Sequence, residues 1–150
     1  MIDCTVTKKL WDGEKVKIKM EKVRDKSVWE IGLIVLGQAK LLAPVRFGYL
    51  AASLTLASST ESNDVDDPSK YAKDRTDWLN ATIKNFRKIT PPIKTGVVLV
   101  GTVVEYAPYQ EYIHRPFLRP SLDMARGKAI TIMMVNGRME FVDYLGGKKK

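Results

Sequence analysis

Cysteine and histidine are almost missing from this sequence: Cys4 and His114 are the single examples of each. A lone cysteine excludes an internal disulfide and fits synthesis in a reducing compartment. One cysteine and one histidine cannot supply a Cys/His zinc site, and no metal is expected. A bilayer-spanning helix needs roughly 18 to 20 apolar residues. The longest candidate here, residues 31–39, is broken by Gly32, Gly37 and Gln38, so no membrane partner is expected. The opening MIDCTVTKK lacks the basic-then-apolar order of a signal peptide, so no leader is expected. Neither GxxxxGK[ST] nor GxGxxG occurs, which removes the usual phosphate cradles, and no cofactor is expected. Ser27, Ser53 and Ser121 lie outside any GxSxG elbow, and cap or turn roles suffice for them.

What the chain does carry is positive charge. Twenty-five Lys and Arg against 17 Asp and Glu leave a net +8 over 150 residues, a length that suits one domain with a real core. Such a balance favours polyanions as neighbours but says nothing of fold. A solvated basic surface explains it as well as a nucleic-acid groove does. The charge is uneven: residues 61–67 hold four acids and no base, and the chain closes on Lys148, Lys149 and Lys150.

Hydrophobic periodicity places the elements. Val16, Ile18 and Met20 alternate with lysines, and Asp12-Gly13 precedes them, which predicts a hairpin of residues 3–11 and 14–21. Ser27-Val28-Trp29-Glu30 reads as a capping box. Val28, Ile31, Ile34, Val35, Leu36, Ala39 and Leu42 then recur at helical spacing, which predicts a helix over 27–42 that stops before Pro44. Gly32 and Gly37 weaken it by about 1 kcal/mol each relative to alanine, tolerable where another element packs closely over them. A strand is expected at 52–58, a polar acidic loop at 58–69, and an amphipathic helix at 69–88 closed by Thr90-Pro91-Pro92. Residues 96–104, GVVLVGTVV, suit a buried strand with a bulge or close approach at Gly101. A short helix is expected at 121–128. Asn136-Gly137 between two apolar runs predicts a second hairpin, 130–135 with 138–142.

The sum is an α+β domain: a mixed or antiparallel sheet, one long helix across it, and hairpins at both ends of the chain. Residues 60–95 read as an inserted segment and 146–150 as a flexible basic tail. Ile31, Ile34 and Leu42 are assigned to the core.

Between the strand and the short helix lies a compact knot, YAPYQEYIHRPFLRP, spanning Tyr106 to Pro120. His114 beside Glu111 and Arg115 invites a catalytic reading, but no nucleophile, orienting group or metal accompanies it. Glu105 and Glu111 flank a turn that fixes no glycosidase-like separation. Tyr109, Tyr112, His114, Arg115, Phe117 and Arg119 are able to stack bases and grip phosphates. The same residue types are enriched where subunits meet, and that reading is preferred.

Two motifs in order carry a resemblance. Ala43-Pro44-Val45-Arg46-Phe47-Gly48-Tyr49-Leu50, followed by Ser53-Leu54, is similar to the APVdTGxLraSI block of tail-completion proteins of long-tailed bacteriophages, also called neck or head–tail joining proteins. Val100-Gly101, Val104-Glu105-Tyr106-Ala107-Pro108-Tyr109, Glu111-Tyr112 and Arg115-Pro116-Phe117-Leu118-Arg119-Pro120-Ser121-Leu122 resemble that family's VG…YApYvEfGT…rPFLrPAL block. The likeness covers about half the chain. Arg46-Phe47 replaces the family's Asp-Thr, and Ile113-His114 its Gly-Thr. The family more often continues a helix where the second hairpin is expected here.

The resemblance implies a structural virion protein and not an enzyme. It would be assembled in the host cytoplasm and built into the neck or tail. Such proteins form a ring, commonly of six subunits, between the head connector and the tail tube, so the implied partners are further copies and other neck, connector and tail-tube proteins. Phe47, Tyr49, Tyr106, Tyr109, Glu111, Arg115 and Phe117 are the expected subunit contacts. Lys148, Lys149 and Lys150 are expected to face packaged DNA, through phosphate contacts that read no sequence. The alternative is a small basic nucleic-acid-binding module, with a small hydrolase well behind.

Overall fold

The computed structural model describes residues 12–44, 48–62, 64 and 89–145. Among these, four helical elements and two strands follow in the order α1 (Gly13–Leu42), α2 (Tyr49–Ser53), β1 (Thr55–Ser58), β2 (Val98–Gly101), α3 (Ala107–Tyr109) and α4 (Leu118–Leu145). A π-helical turn, Gln110–His114, continues directly from α3. The described chain is mostly helical, with a long helix packed against a small two-stranded antiparallel sheet, an α+β arrangement.

The 30-residue α1 starts at Asp12, whose side chain accepts the Lys15 amide at 3.4 Å and also pairs with the Lys15 ammonium at 2.9 Å. An acidic cap and Glu14 in the first turn suit the positive end of the helix dipole. The helix ends where Ala43 turns extended (ψ 137°) ahead of Pro44, while its amide still bonds to Ala39 O at 2.9 Å.

The expected helix over 27–42 is therefore the second half of a longer one, and the expected strand at 14–21 is its first half. Asp12-Gly13 is a helix start and not a hairpin turn. Val16 is half-buried while Ile18 and Met20 are exposed, so the three alternate residues do not share a sheet face. The partner strand expected at 3–11 lies outside the described residues. The C-terminal hairpin is likewise replaced: 130–135, Asn136-Gly137 and 138–142 are all within the 28-residue α4. Packing along α1 overrides the strand propensity of Ile130-Thr131-Ile132. The short helix expected at 121–128 is the front of that same element. The amphipathic helix expected at 69–88 lies outside the described residues.

The strands pair as Thr55–Gly101, Leu56–Val100, Ala57–Leu99 and Ser58–Val98. Both expected strands are present in shortened form, the front of the 52–58 run being α2; β2, expected to be buried with a bulge at Gly101, pairs in unbroken register and is half-exposed, because among the described residues only β1 flanks it. Past β1 the chain turns at Ser58–Glu61, where the Ser58 hydroxyl accepts the Glu61 amide at 2.9 Å. One face of α1 meets this sheet at Gly32, where a Cβ would come within 2.7 Å of both Leu56 Cδ1 and Val98 Cγ1. The close approach expected over the helix glycines thus holds at Gly32, whereas Gly37 faces open space. Leu36, Ala39, Ala43, Leu50, Leu54, Leu56, Ala107 and Phe117 form the core, with Trp29, Val98, Val100 and Leu118 packed against it. Burial of each larger side chain contributes about 1.5–3 kcal/mol. Ile31 and Ile34, assigned to the core from sequence, are half-buried, and Leu42 is exposed.

α4 packs along α1, and its start at Phe117 and Leu118 joins the core beside the sheet. Asn136 Nδ2 donates to Ser27 Oγ at 3.2 Å and to Glu30 Oε2 at 2.7 Å, a buried polar link across the helix pair. Ser27 and Glu30, expected as a capping box, are mid-helix residues that face this partner.

Candidate interaction surface

The segment after β2 is built as a rigid support. The two blocks of the resemblance meet through a chain of hydroxyls: the Val104 amide donates to Thr102 Oγ1 at 3.1 Å, and Thr102 Oγ1 lies 2.7 Å from Ser53 Oγ. Ser53 Oγ in turn donates to Leu50 O at 2.9 Å. That last bond uses the serine proton, so Thr102 is the donor between them. Gly48, with φ of 75°, starts α2 and accepts the Ala52 amide at 2.9 Å, a backbone conformation that suits glycine.

Pro108 sits in the first turn of α3, where its missing N–H costs nothing. The helix then widens, and the Arg115 amide reaches back to Gln110 O at 2.9 Å. This π-turn aims Glu111 at the start of α4. Its Oε2 accepts the amides of Phe117 at 2.7 Å and Leu118 at 2.9 Å, and its Oε1 accepts that of Arg119 at 2.9 Å. The first amides of a helix have no partner within the helix. Here one carboxylate takes three of them, and Pro120 has no N–H to satisfy. Burial raises the Glu111 pKa, but the amides of Leu118, Phe117 and Arg119, with the Arg119 charge, outweigh it and hold the carboxyl below its usual range. The Ser121 hydroxyl bonds Phe117 O, closing the start from the other side.

The candidate residues thus divide into two groups. Phe117 is wholly buried in the core and Glu111 caps α4, so both build the support. Tyr106, Tyr109 and Arg115 are exposed on it, and Tyr49 is half-buried beneath. Burial, with Tyr49 as neighbour, pushes the Tyr106 hydroxyl up from its usual pKa. Tyr109 OH lies 3.0 Å from His114 Nε2 and the two rings meet edge to face, so His114 serves as a local partner that orients Tyr109. Phe47, Lys148, Lys149 and Lys150 lie outside the described residues.

Sequence reasoning left Tyr112 and Ile113 out of the contact set, yet both project from the π-turn, and Tyr112 is 79% exposed. The three-residue spacing of Tyr106, Tyr109 and Tyr112 was the available signal. Beside this shelf runs an apolar groove of about 530 Å³ between α1, β2 and the front of α4, lined by Val28, Ile31, Leu99, Tyr112, Leu118 and Leu122 among others. Among the described residues no cluster of His, Cys, Asp or Glu could hold a metal, and no helix is long and apolar enough to cross a membrane.

No protein-family model, curated protein or solved structure matches this chain. What the protein does is therefore read from its own residues and geometry.

Proposed function

We propose that the protein is a structural component of a bacteriophage neck or tail, acting as one subunit of a ring, six-fold by resemblance, that completes the tail and joins it to the head connector. The observation that carries this reading is the aromatic shelf: Tyr106, Tyr109, Tyr112 and Arg115 stand exposed on a segment fixed by buried Phe117 and by the Glu111 cap. That segment holds the YApY…E…RPFLRP residues on which the resemblance rests. Rigid aromatic side chains lose little entropy when a partner covers them, which suits a contact surface. The helical course of residues 118–145 adds support, because it removes a departure from the family, which more often continues a helix there.

The test is complementation of head–tail joining by Tyr109→Ala with Arg115→Ala, both exposed positions that leave the fold intact. The reading expects a folded subunit, full heads, full tails and few joined particles. Normal joining by this variant would overturn the role of the shelf.

A nucleic-acid role is favoured by one feature. Lys15, Lys19, Lys22 and Lys26 fall at i, i+4, i+7 and i+11 of α1 and form a basic stripe, alongside the Lys15–Asp12 ion pair and the Lys19 contact with Glu140 O. Within a ring this stripe suits loose contact with DNA phosphates. As the primary function it would give tight duplex binding that weakens steeply with salt.

A further inference from the structure

The groove beside the aromatic shelf touches Val98, Leu99 and Val100 in succession. Side chains of a strand alternate between faces, so a cavity that meets three in a row runs along the strand's edge. The pairing pattern shows which backbone groups face it. Ser62 bridges Ala57 on the side of β1 away from β2, and there the Ser58 amide donates to Glu61 O at 2.7 Å. Peptide groups of an antiparallel strand alternate in direction, so Thr55 and Ala57 are the β1 residues that bond to Gly101 and Leu99. Val98 and Val100 therefore turn their N–H and C=O groups away from β1 and into the groove. Among the described residues no hydrogen bond reaches these four groups. β2 also lacks the devices that protect an open edge, since Val98–Gly101 holds no charge, proline or bulge. α1 lines the groove with Val28, Ile31 and Val35, at i, i+3 and i+7, and α4 lines it with Leu118 and Leu122.

We infer that this groove is a docking site for one extended segment of a different protein, which pairs with Val98 and Val100 as a third strand and sets alternate apolar side chains against α1 and α4. In strand addition the main chain supplies the binding, and pockets for every second side chain supply the selectivity. A helix or a loop laid over the groove would bury the free N–H and C=O groups without partners, a cost that a strand removes. The edge is recessed between two helices. That admits a lone strand and shuts out the edge of a second sheet, so two copies cannot pair β2 to β2. Charge selects what flanks the strand. Glu111, at the α4 end of the groove, spends both carboxylate oxygens on helix amides, and the exposed Arg119 guanidinium is left to meet an incoming residue. A cation at the mouth complements an acidic residue beside the bound strand. The segment that fits is thus alternately apolar and polar, with acid at the end that meets Arg119. The groove takes it whether or not the subunit sits in a phage neck.

The experiment titrates the full chain with a synthetic peptide, EEVTVTVT with blocked ends, and follows amide hydrogen exchange by NMR. The Val98 and Val100 amides are expected to exchange fast in the free protein and at least about tenfold more slowly with bound peptide. Leu99 and Gly101, already bonded to β1, should keep their rates. Two further peptides carry N-methyl groups on one or the other alternate set of residues. The set that faces β2 is expected to bind at least about tenfold more weakly, because its donors are lost and its side chains are not. Leu122→Glu should abolish binding with unchanged helical circular dichroism; if the helical signal falls, Leu122→Ser replaces it under the same readouts. Arg119→Glu should weaken EEVTVTVT by about threefold and favour KKVTVTVT instead. No saturable binding up to about 1 mM overturns the inference, as that marks the weak end of specific recognition. So do N-methylated peptides that both bind like the parent, which would make the groove an apolar pocket without strand pairing. Val98 and Val100 amides already slow in the free protein overturn it too, since this chain or another copy would then cover the edge.

Discussion

The side-chain amide of Asn136 lies 2.7 Å from Glu30 Oε2, deep between the two long helices and 106 residues away in sequence. The same nitrogen reaches Ser27 Oγ, so one asparagine serves two acceptors on successive turns of α1. Among the described residues few other polar groups are buried along this helix pair, and the link fixes how far α4 slides along α1.

Removing that donor should cost more than a surface substitution does. Asn136→Ala leaves the Ser27 hydroxyl and the Glu30 carboxylate short of a partner, and a loss of about 1–3 kcal/mol is expected. Asn136→Asp, which sets a second carboxylate against Glu30, should cost more at neutral pH. Urea denaturation checks both, read as a lower midpoint with the slope unchanged.

Glu111 should give the fold an acid sensitivity. Its folded pKa lies below the usual value, so its contribution is fully present above the unfolded carboxyl pKa and is lost as pH falls through the folded one. Glu111→Ala should destabilise by about 1–2 kcal/mol at pH 7, in the range of a lost helix cap. Glu111→Gln, which keeps one acceptor, should cost less. Melting curves of wild type and Glu111→Ala should converge as pH drops below the carboxyl range; a constant gap down to about pH 2 would contradict the cap.

Two glycines in one helix should respond in opposite directions to alanine. Gly37 faces open space, so Gly37→Ala should stabilise by about 0.5–1 kcal/mol through helix propensity. A Cβ at Gly32 would press on Leu56 and on the stiff, branched Val98, so Gly32→Ala should lose about 1–3 kcal/mol by overpacking. Thermal melts of the two variants give the comparison directly.

The parts of the fold legible in the sequence were those whose cause is local. Pro44 ends α1 where proline must, and the apolar, valine-containing run at 98–101 forms a strand. The parts misread share one origin. Asn136-Gly137 has the chemistry of a hairpin turn, and Ser27 with Glu30 that of a helix start, but these residues satisfy each other across the helix pair. Gly137, whose Cβ would stand 4.0 Å from Val23 Cγ1, sits where the helices run close. Neither half of such a contact announces itself until its distant partner is known. At the candidate surface, the aromatic residues and prolines were legible as a group. The division between them was not: Phe117 and Glu111 turned inward because a 28-residue helix needed a core anchor at its start and an acceptor for its first amides.

The Glu111 carboxylate also defines a path for force. It is rooted in the π-turn that carries Tyr112 and Ile113, and its oxygens grip the leading end of α4. A pull on the shelf is thereby shared between the leading end of α4 and β2, to which the chain joins the shelf through residues 102–106. Tension applied at the shelf would therefore load the start of α4 and the sheet together.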